Sequence, residues 1–425
     1  MKINVIGAGL AGSEAAYFLA SHGVEVFLYD QKPTLGPAFH EPDKCGELVC
    51  SNSLKSVQKD NASGLLKAEM QEMGSLVMEA AYKYRLPSGQ DLAVDREAFS
   101  AYITEKIKAN PLIHRISARV DALEEKEDVI NLVCTGPLTE AGLMDYFKSK
   151  YGAEFLSFFD AAAPLVYFDS LDISKMYFKS RYDKGEGKYL NVPLNQEQYY
   201  SFAKNLASAQ KVELHDFDHF EGCLPVETMA ERGIETLRFG PLKPKGLSTD
   251  TIHPFAVVQL RQDDVAGSLY NLVGFQTNLT YPEQRRVLSS LPGFEKVRFA
   301  RYGLMHRNSY LNAPSLLSPD LSLKNSPNTF IGGQFSGVEG YVESASSGLL
   351  AAYYILQRVR NKPFNPLPIH TMLGSLINYL LSSSPKRFAP MNACYGIYQY
   401  PFVEDKEAVY NNSIEAVKGW VKENS

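Results

Sequence analysis

The chain has 425 residues, 45% of them hydrophobic and 21% charged, so it is long enough to bury a large core and is expected to form more than one domain. No apolar run reaches membrane-spanning length, and a net charge of −5 (43 Lys and Arg against 48 Asp and Glu) excludes a protein that binds nucleic acid through bulk positive charge. Five widely spread cysteines (Cys45, Cys50, Cys134, Cys223, Cys394) do not make a disulfide framework and read as reduced thiols. The first apolar run lacks a basic leader and a cleavage site, which points to a cytoplasmic protein.

That first run, Met1 to Ile6, reads as a strand. Gly7-Ala-Gly9-Leu-Ala-Gly12 follows it and opens a helix that ends near His22 at Gly23, and a second strand, Val24 to Tyr29, ends on Asp30. Strand, glycine turn, helix, strand and acid form a dinucleotide-binding βαβ unit. Gly7 suits the tight turn, Gly9 the approach to a pyrophosphate, and Gly12 the close packing of helix on strand. The helix N-terminus supplies N–H groups for the pyrophosphate, and Asp30 accepts from a ribose hydroxyl. No Arg follows Asp30 directly, which favours FAD or NAD over NADP in this pocket.

Residues 31–60 read as a long functional loop carrying Cys45 and Cys50. Helical periodicity runs from about Ala62 to Tyr84. Leu86 to Asp95 resembles a hairpin, Arg96 to Lys108 a further helix, and Val129 to Val133 a buried strand that meets Thr135-Gly136. From Ala163 to Thr280 strand-like runs dominate, at Pro164–Phe168, Glu235–Phe239, Phe255–Leu260 and Tyr270–Phe275, with one helix near Glu197 to Gln210. The pattern predicts an α/β protein. Its Rossmann-type dinucleotide domain comprises residues 1–162 and 283–425, interrupted at 163–282 by a sheet-rich α+β insertion. Thr329 to Ile331 then meets Gly332-Gly333-Gln334, and a small-residue helix is expected over Ser346 to Leu356. A strand ending on glycines before a helix aimed at an isoalloxazine favours FAD over free NAD. An apolar helix near Met372 to Leu381 and a charged final helix complete the chain. Lys175, Lys179, Arg181, Lys184 and Lys188, interleaved with tyrosines, offer either an RNA-contacting patch or a solvated loop.

Several stretches, in order, resemble the GidA-related flavoproteins of the TrmFO family, folate- and FAD-dependent RNA uracil-5-methyltransferases. They include Leu48-Val-Cys-Ser-Asn-Ser-Leu54, Leu92-Ala-Val-Asp-Arg96, Thr135-Gly-Pro-Leu-Thr139, Tyr302-Gly-Leu-Met-His-Arg-Asn308 and Gly337-Val-Glu-Gly-Tyr-Val-Glu-Ser344. The resemblance covers nearly the whole chain. It implies a GidA-like FAD domain and transfer of the one-carbon unit of 5,10-methylenetetrahydrofolate to C5 of a uridine in folded RNA. Reduced FAD supplies the extra electrons, and NADH or NADPH re-reduces it; no metal and no membrane take part. The T-loop uridine (position 54) of tRNA is the favoured target, with a uridine of 23S rRNA as the alternative. It further implies that Cys223 is the nucleophile that adds to C6 and Cys50 the group that handles the C5 proton, with the two roles exchangeable, and that His306 stacks on the folate. A reading of another class, a small-molecule or thiol oxidoreductase using FAD, NAD(P)H and the Cys45/Cys50 pair, rests on the C-x4-C spacing.

Overall fold

The computed structural model describes residues 1–31, 44–137, 139–153, 155–183, 189–212, 224–399 and 404–424. Its organising layer is a six-stranded sheet. β1 (Lys2–Ile6) leads through α1 (Leu10–Ser21) to β2 (Val26–Asp30); β3 (Ile113–Ser117), β4 (Val129–Val133), β5 (Ser322–Leu323) and β6 (Ser326–Ile331) complete it in the order β5-β6-β4-β1-β2-β3. All neighbours are parallel except β5 and β6. β4 is buried at every position, as its Val-Ile-Asn-Leu-Val run requires of a central strand covered on both faces. Its one polar residue is matched: Asn4, opposite Asn131 on β1, donates its side-chain N–H to Asn131 Oδ1 at 3.1 Å.

The long helix α2 (Tyr341–Val359) lies against α1. It begins five residues earlier than the small-residue run suggested, because Gly340, at φ 116°, turns the chain directly into it. Its Ser346-Ser-Gly348 stripe serves close approach: a Cβ at Gly348 would lie 2.4 Å from the Ala11 carbonyl oxygen.

The helix expected over 62–84 is two helices, Ala62–Glu72 and Leu76–Lys83, separated at Gly74 (φ 78°). Apolar periodicity continues through the break, but a tertiary cap creates it. Glu14 on α1, fully buried, accepts from the Ser75 hydroxyl (3.0 Å) and from the Leu76 and Val77 N–H groups (both 2.8 Å). Glu69 does the same for the helix Met372–Ser382, accepting from the Met372 and Leu373 N–H groups and the Ser413 hydroxyl. In both carboxyls burial outweighs these bonds and pushes the pKa up to about 7. Between the ordinary carboxyl value and pH 7 the folded state therefore holds protons that the unfolded chain has released, so stability falls as pH rises through this window. We expect the melting temperature to decline from about pH 5 to 7, with a shallower decline in Glu14→Gln. That variant should also lose about 1–3 kcal/mol, because its amide presents N–H to N–H at one of the three contacts. An unchanged slope in the variant would contradict the assignment.

A second sheet, antiparallel throughout, runs Tyr177–Lys179, Tyr189–Leu194, Ala256–Gln262, Leu269–Leu272, Leu165–Tyr167 and Phe299–Arg301. With the helices Gln196–Ala207 and Val226–Arg232 it builds a separate apolar core. Glu235 to Phe239, expected as a strand, is instead a single helical turn, Thr236–Phe239. Only Leu237 of this run is buried, whereas Phe239 is 77% exposed, so the apolar pattern had no sheet face to fill. A two-stranded ribbon, Phe155–Ala161 with Met305–Leu311, packs on the first core through Leu156, Tyr310 and Leu311. Among the described residues no helix is long and apolar enough to cross a membrane.

Candidate active site

At the carboxyl ends of β1, β2, β4 and β6 a cleft opens, the place where parallel α/β sheets bind ligands. Gly7, Gly9, Asp30, Thr135, Gly136, Gly333 and Gln334 line it, together with Glu47, Val49, Tyr341 and Ser344. Gly12 and Gly332 stand behind this lining. Gly7 has φ 105°, and a Cβ there would lie 2.4 Å from the Cys134 carbonyl oxygen; a Cβ at Gly12 would lie 1.8 Å from the Gly7 carbonyl oxygen, and one at Gly332 3.0 Å from Cys134 Sγ. The first two contacts leave space only for hydrogen, and all three set the turn tightly against β4.

Gly9 and Gly136 differ. At each, a Cβ would meet nothing within 4 Å, so both backbones border open space. Gly9 is the N-cap of α1, and no side chain caps that helix, which leaves its N-terminal dipole facing the cleft. Thr139 braces the Thr135-Gly136 turn, with its hydroxyl 2.7 Å from Thr135 Oγ1 and 2.8 Å from the Gly136 carbonyl oxygen. On the opposite wall, Ser347 of α2 accepts the Gly333 N–H at 2.8 Å, and Gln334 donates to Glu339 at 2.7 Å. Open backbone at a helix N-terminus, an acid at the end of β2 and a second glycine approach from β6 fit a dinucleotide with a pyrophosphate.

Beside the cleft runs the segment Leu48–Asn52, and its hold was not legible in the sequence. Arg96 donates to the Leu48 carbonyl at 2.6 Å and to that of Cys50 at 3.3 Å. Arg301 donates to the Val49 carbonyl at 3.3 Å and to that of Cys50 at 2.7 Å. The Cys50 N–H donates to the Tyr341 hydroxyl at 2.5 Å, tying the thiol-bearing residue to the first turn of α2. Asn52 accepts from Arg261 Nε at 3.0 Å and donates to the carbonyls of Val94 and Gln262. Arg96 heads the helix Arg96–Ala109 of the first core, whereas Arg261 and Arg301 come from the second sheet. The only trace of this in the sequence is position: Arg96 ends one family-like stretch, and Arg301 immediately precedes another.

His306 lies in the strand Met305–Leu311, in register with Asp160, and that strand is joined to the cleft where Ser309 N–H donates to the Pro137 carbonyl at 3.1 Å. Cys223 lies outside the described residues. None of the four described cysteines, Cys45, Cys50, Cys134 and Cys394, is in a disulfide. Cys45 is wholly buried, its N–H given to Thr104 and its carbonyl taken by Ser100, which leaves the Cys45/Cys50 redox pairing without support. Burial pushes the Cys134 thiol far up, making it a packing residue under the glycine turn. Of the basic run, Lys175 pairs with Glu295, Lys179 with Asp183, and Arg181 with carbonyls and Gln259; Lys184 and Lys188 lie outside the described residues. The described members are thus engaged in local structure.

Comparison with known proteins adds three findings. The family model described as glucose-inhibited division protein A matches residues 2–363. The chain is 48% identical over 410 residues to the methylenetetrahydrofolate–tRNA-(uracil-5-)-methyltransferase TrmFO of Listeria monocytogenes serotype 4b, covering 95% of this chain and 93% of that protein. It is 46% identical over 427 residues to the protein of the same name from Bacillus subtilis, 98% of each being covered. Among solved structures, GidA of Aquifex aeolicus superimposes with a TM-score of 0.72 at 16% identity, over 99% of this chain and 73% of that one, which shows a shared fold.

Proposed function

This chain belongs to the GidA family and, within it, to the TrmFO group, and from that premise we propose that it methylates C5 of a uridine in tRNA, using methylenetetrahydrofolate as carbon donor. The observation that carries the reading is identity of 46–48% to enzymes so named, sustained over 93–98% of the chain. The T-loop uridine is the target we assign, and the cytoplasm the compartment.

FAD, reduced by NADH or NADPH, supplies the two electrons that separate a methylene-level carbon from a methyl group. In our reading Gly7, Gly9 and the N-terminus of α1 bind its pyrophosphate, Asp30 its ribose, and Thr135-Gly136 with Gly332-Gly333-Gln334 enclose the remainder. His306 stacks on the folate. Cys223 adds as thiolate to C6 of the uracil, which makes C5 nucleophilic, and Cys50 takes the C5 proton after the carbon is attached. The position of Cys50 beside Val49 and Tyr341, both on the cleft wall, supports this division of labour.

The test is direct. Purified protein should be yellow and should form 5-methyluridine in a tRNA transcript only when methylenetetrahydrofolate and a nicotinamide reductant are both present. Mass mapping of tRNA and 23S rRNA from cells with and without the gene identifies the nucleotide. A modified base confined to 23S rRNA would overturn the tRNA assignment, and disulfide reduction without RNA methylation would overturn the reaction class.

A further inference from the structure

The clamp on Leu48–Cys50 carries more positive charge than its surroundings balance. Arg96, its side chain 15% exposed, and the partly buried Arg301 both donate to the Cys50 carbonyl, yet the carboxylate that acts on both is Asp263, which is 3% exposed, 3.3 Å from Arg96 and felt by Arg301 through its charge. The buried Nε–H of each guanidinium has no hydrogen-bond partner among the described residues. Asp95 spends its two oxygens on the N–H groups of Ala98 and Val265, and Arg261, a further cation, is directed at Asn52. Tyr341 presents a hydroxyl to the Cys50 N–H. Burial, followed by repulsion from Arg96, lowers the proton affinity of Arg301, whereas for Arg96 burial is more than offset, chiefly by Asp263. Among the described residues, two partly buried cations around one anion leave a net positive charge that is felt at Cys50.

We propose that the missing counter-charge is the Cys50 thiolate, and that Arg96 and Arg301 are positioning residues that hold this thiol ionised. The inference rests on the reading of Cys50 as a reacting group: whether it takes the C5 proton or attacks C6, the thiolate is the competent form. Arginine suits the task because its charge is permanent and its fork is fixed on two carbonyls at once, so the cation cannot swing from the sulfur. Arg301 and Asp263 come from the second sheet, Arg96 and Cys50 from the first core, so ionisation of the thiol requires the two to be docked.

The test uses flavin-loaded protein without RNA or folate, alkylated by iodoacetamide from about pH 5 to 9, with Cys50 modification read by peptide mass spectrometry. Arg301→Gln should slow Cys50 alkylation at neutral pH about tenfold and move the profile to higher pH. Arg301→Lys, which keeps the charge, should stay near the parent. Asp263→Asn, which removes the competing anion, should move the profile to lower pH. Opposite shifts from Gln and Asn variants with the same flavin spectrum and melting temperature as the parent would support the proposal; general loosening cannot produce them. An unmoved profile in Arg301→Gln, shifts of the same sign in both, or a Lys variant that behaves like Gln would overturn it. Failure of the parent protein to methylate RNA would remove the proposed function while leaving this readout intact.

Discussion

Replacing Cys50 by Ala should reduce 5-methyluridine formation by about 10²–10⁴-fold, the range in which a positioned proton acceptor contributes, with flavin content unchanged. The structure makes this a clean experiment. The main chain of residue 50 is held at both ends: the carbonyl accepts from Arg96 and Arg301, and the N–H donates to Tyr341. Alanine keeps all three. A loss of activity then reports the sulfur rather than the loop. If Cys50 takes the C5 proton, the Cys50→Ala protein should also accumulate a denaturation-resistant adduct with tRNA, because Cys223 has added to C6 and the proton that must leave before release has no acceptor. An adduct in Cys223→Ala and none in Cys50→Ala would exchange the two roles. Cys134→Ala is the control: its thiol is buried under the glycine turn and held protonated, so activity should persist at a stability cost of about 1 kcal/mol.

How far the sequence foretold these features depends on the range of the forces involved. The βαβ unit was legible because most of its constraints are local: Gly12 packs on the carbonyl of Gly7 at the start of the same turn, and Asp30 ends the adjacent strand. Thr135-Gly136 and Gly332-Gly333 were legible for the same reason, each following a strand of recognisable pattern directly. What escaped was made by distant partners. Nothing near Gly74 announces that Glu14, some sixty residues earlier, caps the helix beginning at Leu76. The run Glu235–Phe239 has strand composition, yet it lacks a neighbouring strand, and Arg238 instead stacks on Phe255 at 3.8 Å. The clamp on Cys50 is the extreme case, since Arg301 lies 251 residues from the carbonyl it holds. Charged residues at such separations show no periodicity, and only the assembled surfaces reveal that two guanidiniums meet one carboxylate.

The second large effect is expected at Gly12. Gly12→Ala should yield protein without flavin and destabilised by about 1–3 kcal/mol, the usual cost of forcing volume into a filled site. Helix propensity argues the opposite, since Ala in a helix interior is favoured over Gly by about 1 kcal/mol. Sterics decide between them. The new Cβ would lie 1.8 Å from the Gly7 carbonyl oxygen and 3.3 Å from the Cys134 Cβ, with no flexible side-chain end to yield. The turn cannot withdraw freely, because the Gly7 N–H is bonded to the Tyr29 carbonyl at 2.8 Å and Gly7 itself sits against the Cys134 carbonyl. Relief therefore requires α1 to move off β1, which carries its N-terminus away from the cleft. Gly9→Ala separates this effect from ligand contact. Its Cβ meets no protein atom within 4 Å, so that variant should fold as stably as the parent and lose affinity for FAD through the methyl group occupying the pyrophosphate's space. Flavin absorbance of the purified proteins and melting curves with and without added FAD measure both. Full flavin content and an unchanged melting temperature in Gly12→Ala would refute the packing role assigned to that glycine.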